Sequence, residues 1–201
     1  MQPGNPDRYV LSRSQEERQR LVLQDELLGS MTRSLFQRAG LREGSRVLDV
    51  GSGVGGVALL ACDIVGTSGS VVGVEIDAES AAVAVQRCAV AGVSKVTFLV
   101  DDVATATLPG PFDAVVGRLV LMHLRDPIAI LARCGRCCAL TGSWRSWRES
   151  WLLQGSPSQG RKAWRSLNAC VSGRLVACQQ TCLWVWTCDA CSSMRGSESL
   201  T

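Results

Sequence analysis

Through the first two thirds of the chain, short apolar runs alternate with longer stretches of helical period. Residues 14–39 carry Leu21, Leu27, Leu28, Met31 and Leu35 at roughly helical spacing, and Ser14 followed by Glu17 makes a candidate capping box at their start. The region from Gly40 to Gly44 breaks that helix. RVLDVG (46–51) is an apolar run of strand length, and VGGVALLACDIV (54–65) has the length and pattern of a helix lying on a sheet. After the turn GTSG (66–69), VVGVEI (71–76) predicts a second buried strand, and AESAAVAVQRCAVAG (78–92) an alanine-rich helix that Gly92 can close. KVTFLVDD (95–102) predicts a third strand, LPGP (108–111) a turn and FDAVVGR (112–118) a fourth strand. DPIAILARCGR (126–136) predicts a helix with Pro127 in its first turn.

Strands alternating with helices of this length predict a parallel sheet with right-handed crossovers. The near-continuous Val, Leu and Ile content of the strands agrees, because such strands are covered on both faces. The fold class expected is therefore α/β, Rossmann-like, with a mostly parallel sheet. Three regions follow: a helical lead-in over 1–44, the α/β core over 45–136, and a tail over 137–201 in which the pattern stops.

Composition marks the same break. Up to Arg136 there are 14 Lys and Arg against 15 Asp and Glu; from Cys137 onward the count is 7 against 3. All 6 Trp and 7 of the 10 Cys lie in the tail. The excess of basic residues there is too small to argue for nucleic-acid binding. The first twenty residues hold no apolar core of signal-peptide type, and no run reaches the ~18–20 apolar residues of a membrane span. A cytoplasmic protein with no membrane and no nucleic-acid partner is expected.

The candidate chemistry sits in VLDVGSGVGG (47–56), between the first strand and the first helix that follows it. Gly51, Gly53 and Gly55 let the backbone turn tightly and approach a ligand with no Cβ in the way. Gly51, Gly53 and Gly56 also fit the G-x-G-x-x-G spacing, so the loop alone leaves open a dinucleotide, an S-adenosylmethionine (SAM), or glycines serving helix–strand packing only. Glu75 ends the second strand, where a carboxylate can accept both ribose hydroxyls of either cofactor. Asp102 ends the third, at the carboxyl edge where open α/β sheets bind ligands, and can accept from an adenine amino group.

Residues 45–133 resemble the class I SAM-dependent methyltransferases, in their bacterial small-molecule branch. VLDVGSGVGG resembles the first motif of that family, VVGVEID its second strand, VTFLVDDVATATLP its adenine-contacting segment, and GPFDAVVGRLVLMHLRDP its fourth strand and following loop. The resemblance implies a donor site in which Asp49 and the Gly51–Gly55 loop, Ser52 included, face the methionine part of SAM. It implies that Glu75 holds the ribose, Ile76 packs on the adenine, Asp102 takes the adenine amino group and the Val103 amide its ring nitrogen. Gly117 and Arg118 would end the fourth strand near the amino-acid end of the donor, where a surface ion pair is the other reading of Arg118. A small-molecule methyl acceptor is implied with it. A general base is needed only if that acceptor is a hydroxyl, an acidic carbon or a protonated amine. His123, the only histidine, is read as structural, and Cys62 and Cys88 as ordinary buried thiols. The alternatives are an NAD(P)-dependent oxidoreductase sharing the glycine loop, and a non-catalytic remnant that binds SAM.

The family would continue after residue 136 with a Leu-Arg-Pro-Gly-Gly type of turn and a fifth strand. CCALTGSWRSWRES (137–150) has neither. With freely chosen synonymous codons, reading from the third base of the Cys137 codon gives Leu-Arg-Pro-Asp-Gly-Leu-Val-Ala-Phe-Val-Glu, the missing turn and strand. The expectation is a reading-frame shift near Arg136–Cys137, a poorly ordered tail, and a fourth strand left as an exposed apolar edge. Cys178, Cys182, Cys188 and Cys191 offer a rival zinc reading with irregular spacing; no metal and no disulfide framework is expected.

Overall fold

The computed structural model describes residues 14–137 and the backbone of two further strands at 174–178 and 183–187. Helix α1 runs Gln15–Arg38, followed by β1 (Arg46–Val50), α2 (Gly56–Val65), β2 (Ser70–Glu75), α3 (Ala78–Val90), β3 (Val96–Val100) and β4 (Ala114–Arg118). A 3-10 turn at Leu121–His123 leads into α4 (Pro127–Arg136), and β5 (Arg174–Cys178) and β6 (Leu183–Thr187) come last. Local chemistry sets several of the helix ends. Ser14 accepts from the Glu17 amide at 3.2 Å, Asp77 caps α3 through the Ser80 amide, and Asp126 caps α4 through the Ala129 amide. Arg20 holds the Glu17 carboxylate at 2.6 and 2.8 Å.

The sheet order is β3-β2-β1-β4-β6-β5. β1 pairs in parallel with β2 and β4, and β2 with β3. The chain therefore steps outward from β1 to β3 and then returns to the other side of β1. That reversal opens a crevice at the carboxyl ends of β1 and its neighbours. The four predicted strands and the parallel arrangement are observed.

Beyond them the structure departs from expectation. β6 pairs antiparallel with β4, Ala114 opposite Thr187 and Arg118 opposite Leu183, and β5 pairs antiparallel with β6. The described tail thus contains two strands, and β4 is not an open edge. RLVAC and LWVWT are short apolar runs without alternation, which period alone cannot assign. The rest of the tail, including Cys182, Cys188 and Cys191 of the zinc reading, lies outside the described residues.

The strands alternate their side chains between two cores. Val47, Val71, Ala114 and Val116 pack with Leu35 and Phe36 of α1 and with Ala58, Ala61 and Val65 of α2. Leu48, Val50, Val74 and Val115 pack on the other side with Phe112 and with Ile130 and Leu131 of α4. Asp49 shares the alternation of Val47, which puts a carboxylate at the tip of the face that α1 and α2 cover.

Candidate functional site

The loop after β1 is built by three left-handed glycines. Gly51, Gly53 and Gly55 have φ of 64°, 52° and 81°, a region that costs an L-residue roughly 1–2 kcal/mol. Two of them are also needed for space. A Cβ on Gly51 would drive into the Val120 side chain, and one on Gly55 would lie 2.8 Å from the Ala84 Cβ of α3. The loop is tied to β2 by the Gly51 and Ser52 amides, which donate to the Val74 carbonyl at 2.9 and 3.1 Å.

Glu75 closes this loop from the neighbouring strand. It is 8% exposed; one carboxylate oxygen accepts from the Gly53 amide at 2.7 Å and the other from the Asp77 amide at 2.9 Å. The carboxylate is thus locked against the glycine loop, within the crevice. Ile76, next in sequence, is 46% exposed, an apolar side chain presented at a strand tip beside a carboxylate. Asp102 lies two residues beyond the end of β3 and is exposed; it organises its own turn by accepting from the Ala104 amide at 2.8 Å. Val103 is buried, and its carbonyl accepts from Arg133 Nε at 3.1 Å.

Asp49 is the opposite case. It is 1% exposed, and neither carboxylate oxygen has a hydrogen-bond partner among the described residues; the same holds for Ser52 Oγ. Burial pushes its pKa well above the ordinary carboxylate value. The positive charge of Arg118 opposes that rise, and the carboxylates of Glu75 and Asp25 add to it. The Ala58 amide lowers it only weakly and does not reach hydrogen-bond geometry. A buried carboxyl with no partner is expensive unless something cationic or donating meets it.

Two residues that sequence reasoning missed complete the inner end. Asp25, in the middle of α1, forms an ion pair with Arg118 at the tip of β4 and another, at 2.7 Å, with Arg87 of α3. Arg87 also donates to the Val54 carbonyl of the glycine loop at 2.7 Å. The Asp25 carboxylate sits on the first residue of α2, so that a Cβ on Gly56 would fall inside it. One turn earlier on α1, Leu21 overlies Gly53, 3.7 Å from where a Cβ would be. Nothing in the local sequence around Asp25 marks it, since its partners are 62 and 93 residues away. Arg118, read as a ligand contact or a surface ion pair, is neither exposed nor free: its side chain is 6% exposed, and Nη1 also donates to Thr32 Oγ1 at 3.4 Å. Leu119, directly after it, takes a left-handed φ of 59°, and Val120 is the side chain that packs on Gly51. Backbone strain of this kind concentrates at functional sites.

The site residues predicted from the sequence therefore divide in two. Asp49, Ser52, the three glycines and Glu75 converge on one crevice, with Ile76 at its rim. Asp102 and Val103 flank the next strand tip. His123 stands in the 3-10 turn after β4.

A family model described as "Methyltransferase domain" matches residues 47–142. An arsenite methyltransferase of Aquipseudomonas alcaligenes is 36% identical over 104 residues, covering 48% of this chain and 30% of its own length. This chain thus spans less than a third of that curated relative. Among solved structures, a SAM-dependent methyltransferase from Aquifex aeolicus superposes with a TM-score of 0.58 at 20% identity, over 78% of this chain and 88% of that one. The cyclase SpnF superposes with a TM-score of 0.54 at 20% identity, over 73% and 58%. At such identities the structures attest the fold alone, and the pair shows one fold carrying different reactions.

Proposed function

We propose that the region matched by the methyltransferase-domain model is a class I SAM-dependent methyltransferase domain, and that the protein transfers a methyl group from SAM to a small-molecule acceptor in the cytoplasm. The observation that carries this reading is that the buried Asp49 carboxyl and the buried Ser52 hydroxyl both lack a hydrogen-bond partner among the described residues, at a loop turned by three left-handed glycines. SAM carries an ammonium and a sulfonium, and a buried carboxylate with an adjacent hydroxyl is a suitable receiver for such a cation. The residues present fit the cofactor.

When bound, SAM supplies an activated methyl group, so the chain's own work is positioning and the exclusion of water. Glu75 would accept the ribose hydroxyls and Ile76 would cover the adenine. Asp102 and the Val103 amide would read the adenine edge. Asp49, Ser52 and the Gly51–Gly55 backbone would hold the amino-acid tail, and Arg118 would balance the charge at its far end. Val120 and Leu21 pack against Gly51 and Gly53. Nothing here requires a protein base, in keeping with a structural His123.

Burial pushes the thiols of Cys62 and Cys134 up to about 12 and raises that of Cys88, in keeping with ordinary buried thiols. The acceptor of the Aquipseudomonas relative is not carried over to this chain on a match to 30% of that protein's length. Cys62, Cys88, Cys134 and Cys137 are free thiols. Among the described residues, no helix is long and apolar enough to cross a membrane. The family match does not favour a nicotinamide-dependent oxidoreductase. Thermal melting with SAM and with NAD separates the two: SAM alone should raise the melting temperature, whereas a rise with NAD alone would refute the methyltransferase reading. The frame-shift reading of the tail is checked by the codons of Arg136–Arg148, which either permit the alternative frame or exclude it.

A further inference from the structure

The adenosine end of the crevice is marked by Glu75 and Ile76, so an amino-acid tail entering from there runs along the tip of β1 toward β4. That tail ends in a carboxylate as well as an ammonium. The described cations at that end are Arg118 and Arg87, and both are already held by one carboxylate, Asp25. Arg118 has one terminal nitrogen on Asp25 and the other on Thr32. Asp25 is itself 11% exposed as a side chain and rests against Gly56. Within reach of the Arg118 charge lies a buried carboxyl, Asp49, with no hydrogen-bond partner among the described residues. The inner end thus presents anions where an anionic group must arrive.

We propose that Asp25 is a resident stand-in for the carboxylate of the donor's amino-acid tail, and that donor binding displaces it from Arg118 and so releases the middle of α1 from the glycine loop. The inference rests on the SAM site proposed above and adds to it a selectivity device. A ligand that brings its own carboxylate can replace Asp25 without costing Arg118, whose side chain is 6% exposed, the carboxylate it now holds, a loss that is expensive for a buried ion. A nucleoside thioether that lacks the tail can fill the adenosine end but cannot open the inner one. Helix α1, linked to the loop by Asp25 and Leu21, becomes the element that reports which ligand is present.

The test compares SAM with 5′-methylthioadenosine, which has the same adenosine and no amino-acid tail, by calorimetric titration of the full-length wild-type protein and of Asp25→Asn. Removing the competing charge should tighten SAM by about tenfold, equivalent to roughly 1.4 kcal/mol, and change methylthioadenosine by less than about twofold. Equal weakening of both ligands, or an unchanged ratio, would make Asp25 a structural tie and overturn the proposal. Because Asp25→Asn could fail to fold, amide hydrogen exchange over residues 18–30 is followed in the wild type as well. SAM should speed exchange there and methylthioadenosine should not; protection by both ligands overturns the displacement. A wild type that binds methylthioadenosine but excludes SAM refutes the gate and leaves an adenosine site standing. One that binds neither ligand refutes the SAM site itself, and the gate with it.

Discussion

The two ends of one crevice differ in how far they are finished. At the β2 and β3 tips, each carboxylate already has work: Glu75 holds two backbone amides, and Asp102 holds its turn while facing solvent. At the β1 and β4 tips, Asp49 has no hydrogen-bond partner among the described residues, and Arg118 is occupied by the chain's own Asp25. The outer end is preformed and open. The inner end is filled by self-contacts and keeps one buried carboxyl in an unfavourable state. On the proposal made above, a ligand spanning both would dock on the first and rearrange the second.

Breaking the shared loop should have the largest effect. Gly51→Ala puts a Cβ into Val120 at a φ of 64°. Left-handed strain and overpacking together should cost about 3 kcal/mol, read as a fall in the denaturation midpoint, with SAM binding lost at both ends. A variant that melts like the wild type would show that the loop is not as tightly fitted as the structure has it.

A smaller effect should sharpen the contrast between the ends. Asp49 has a folded-state pKa raised by burial, so the fold favours its neutral form. Its contribution to stability is present at acid pH and is lost as pH rises from the ordinary carboxylate range, where the unfolded chain ionises, toward the raised value. Asp49→Asn should therefore melt higher than the wild type at pH 8, by a few degrees on the scale of about 2–4 °C per kcal/mol for a chain of this size. The gap should close toward pH 4. A cationic donor favours the ionised carboxylate, so SAM should bind the wild type more tightly as pH rises, with proton release, and Asp49→Asn should lose that dependence. Melting curves that stay parallel across pH would remove Asp49 from the inner end.

How much of this was legible beforehand follows the same division. The outer end and the loop are local: VLDVGSGVGG, Glu75 after VVGV and Asp102 after VTFLV lie at strand ends that hydrophobic period locates to within two residues. The inner end is tertiary. Asp25 and Arg87 sit in ordinary helical sequence, and only the packing of α1 and α3 on the loop brings them to Arg118. The only local trace is negative: α2 has no acidic residue in its first turn, and Asp25 supplies a carboxylate there from another helix. The strands at 174–178 and 183–187 were missed for a related reason. Their assignment comes from pairing with β4, and a short apolar run carries no record of its partner.

The central claim is that a single donor site spans the tips of β1 and β2, with Glu75 as its ribose anchor. Calorimetric titration of SAM into the wild type and into Glu75→Gln tests it most directly. Glutamine cannot accept from both the Gly53 and Asp77 amides in the way the carboxylate does, and hydrogen bonds to a charged acceptor are worth roughly 1.5–3 kcal/mol. The account predicts saturable one-to-one binding to the wild type and a loss of about tenfold to a hundredfold in the variant. Equal affinity in the two proteins, or wild-type protein that takes up NAD and not SAM, would contradict it.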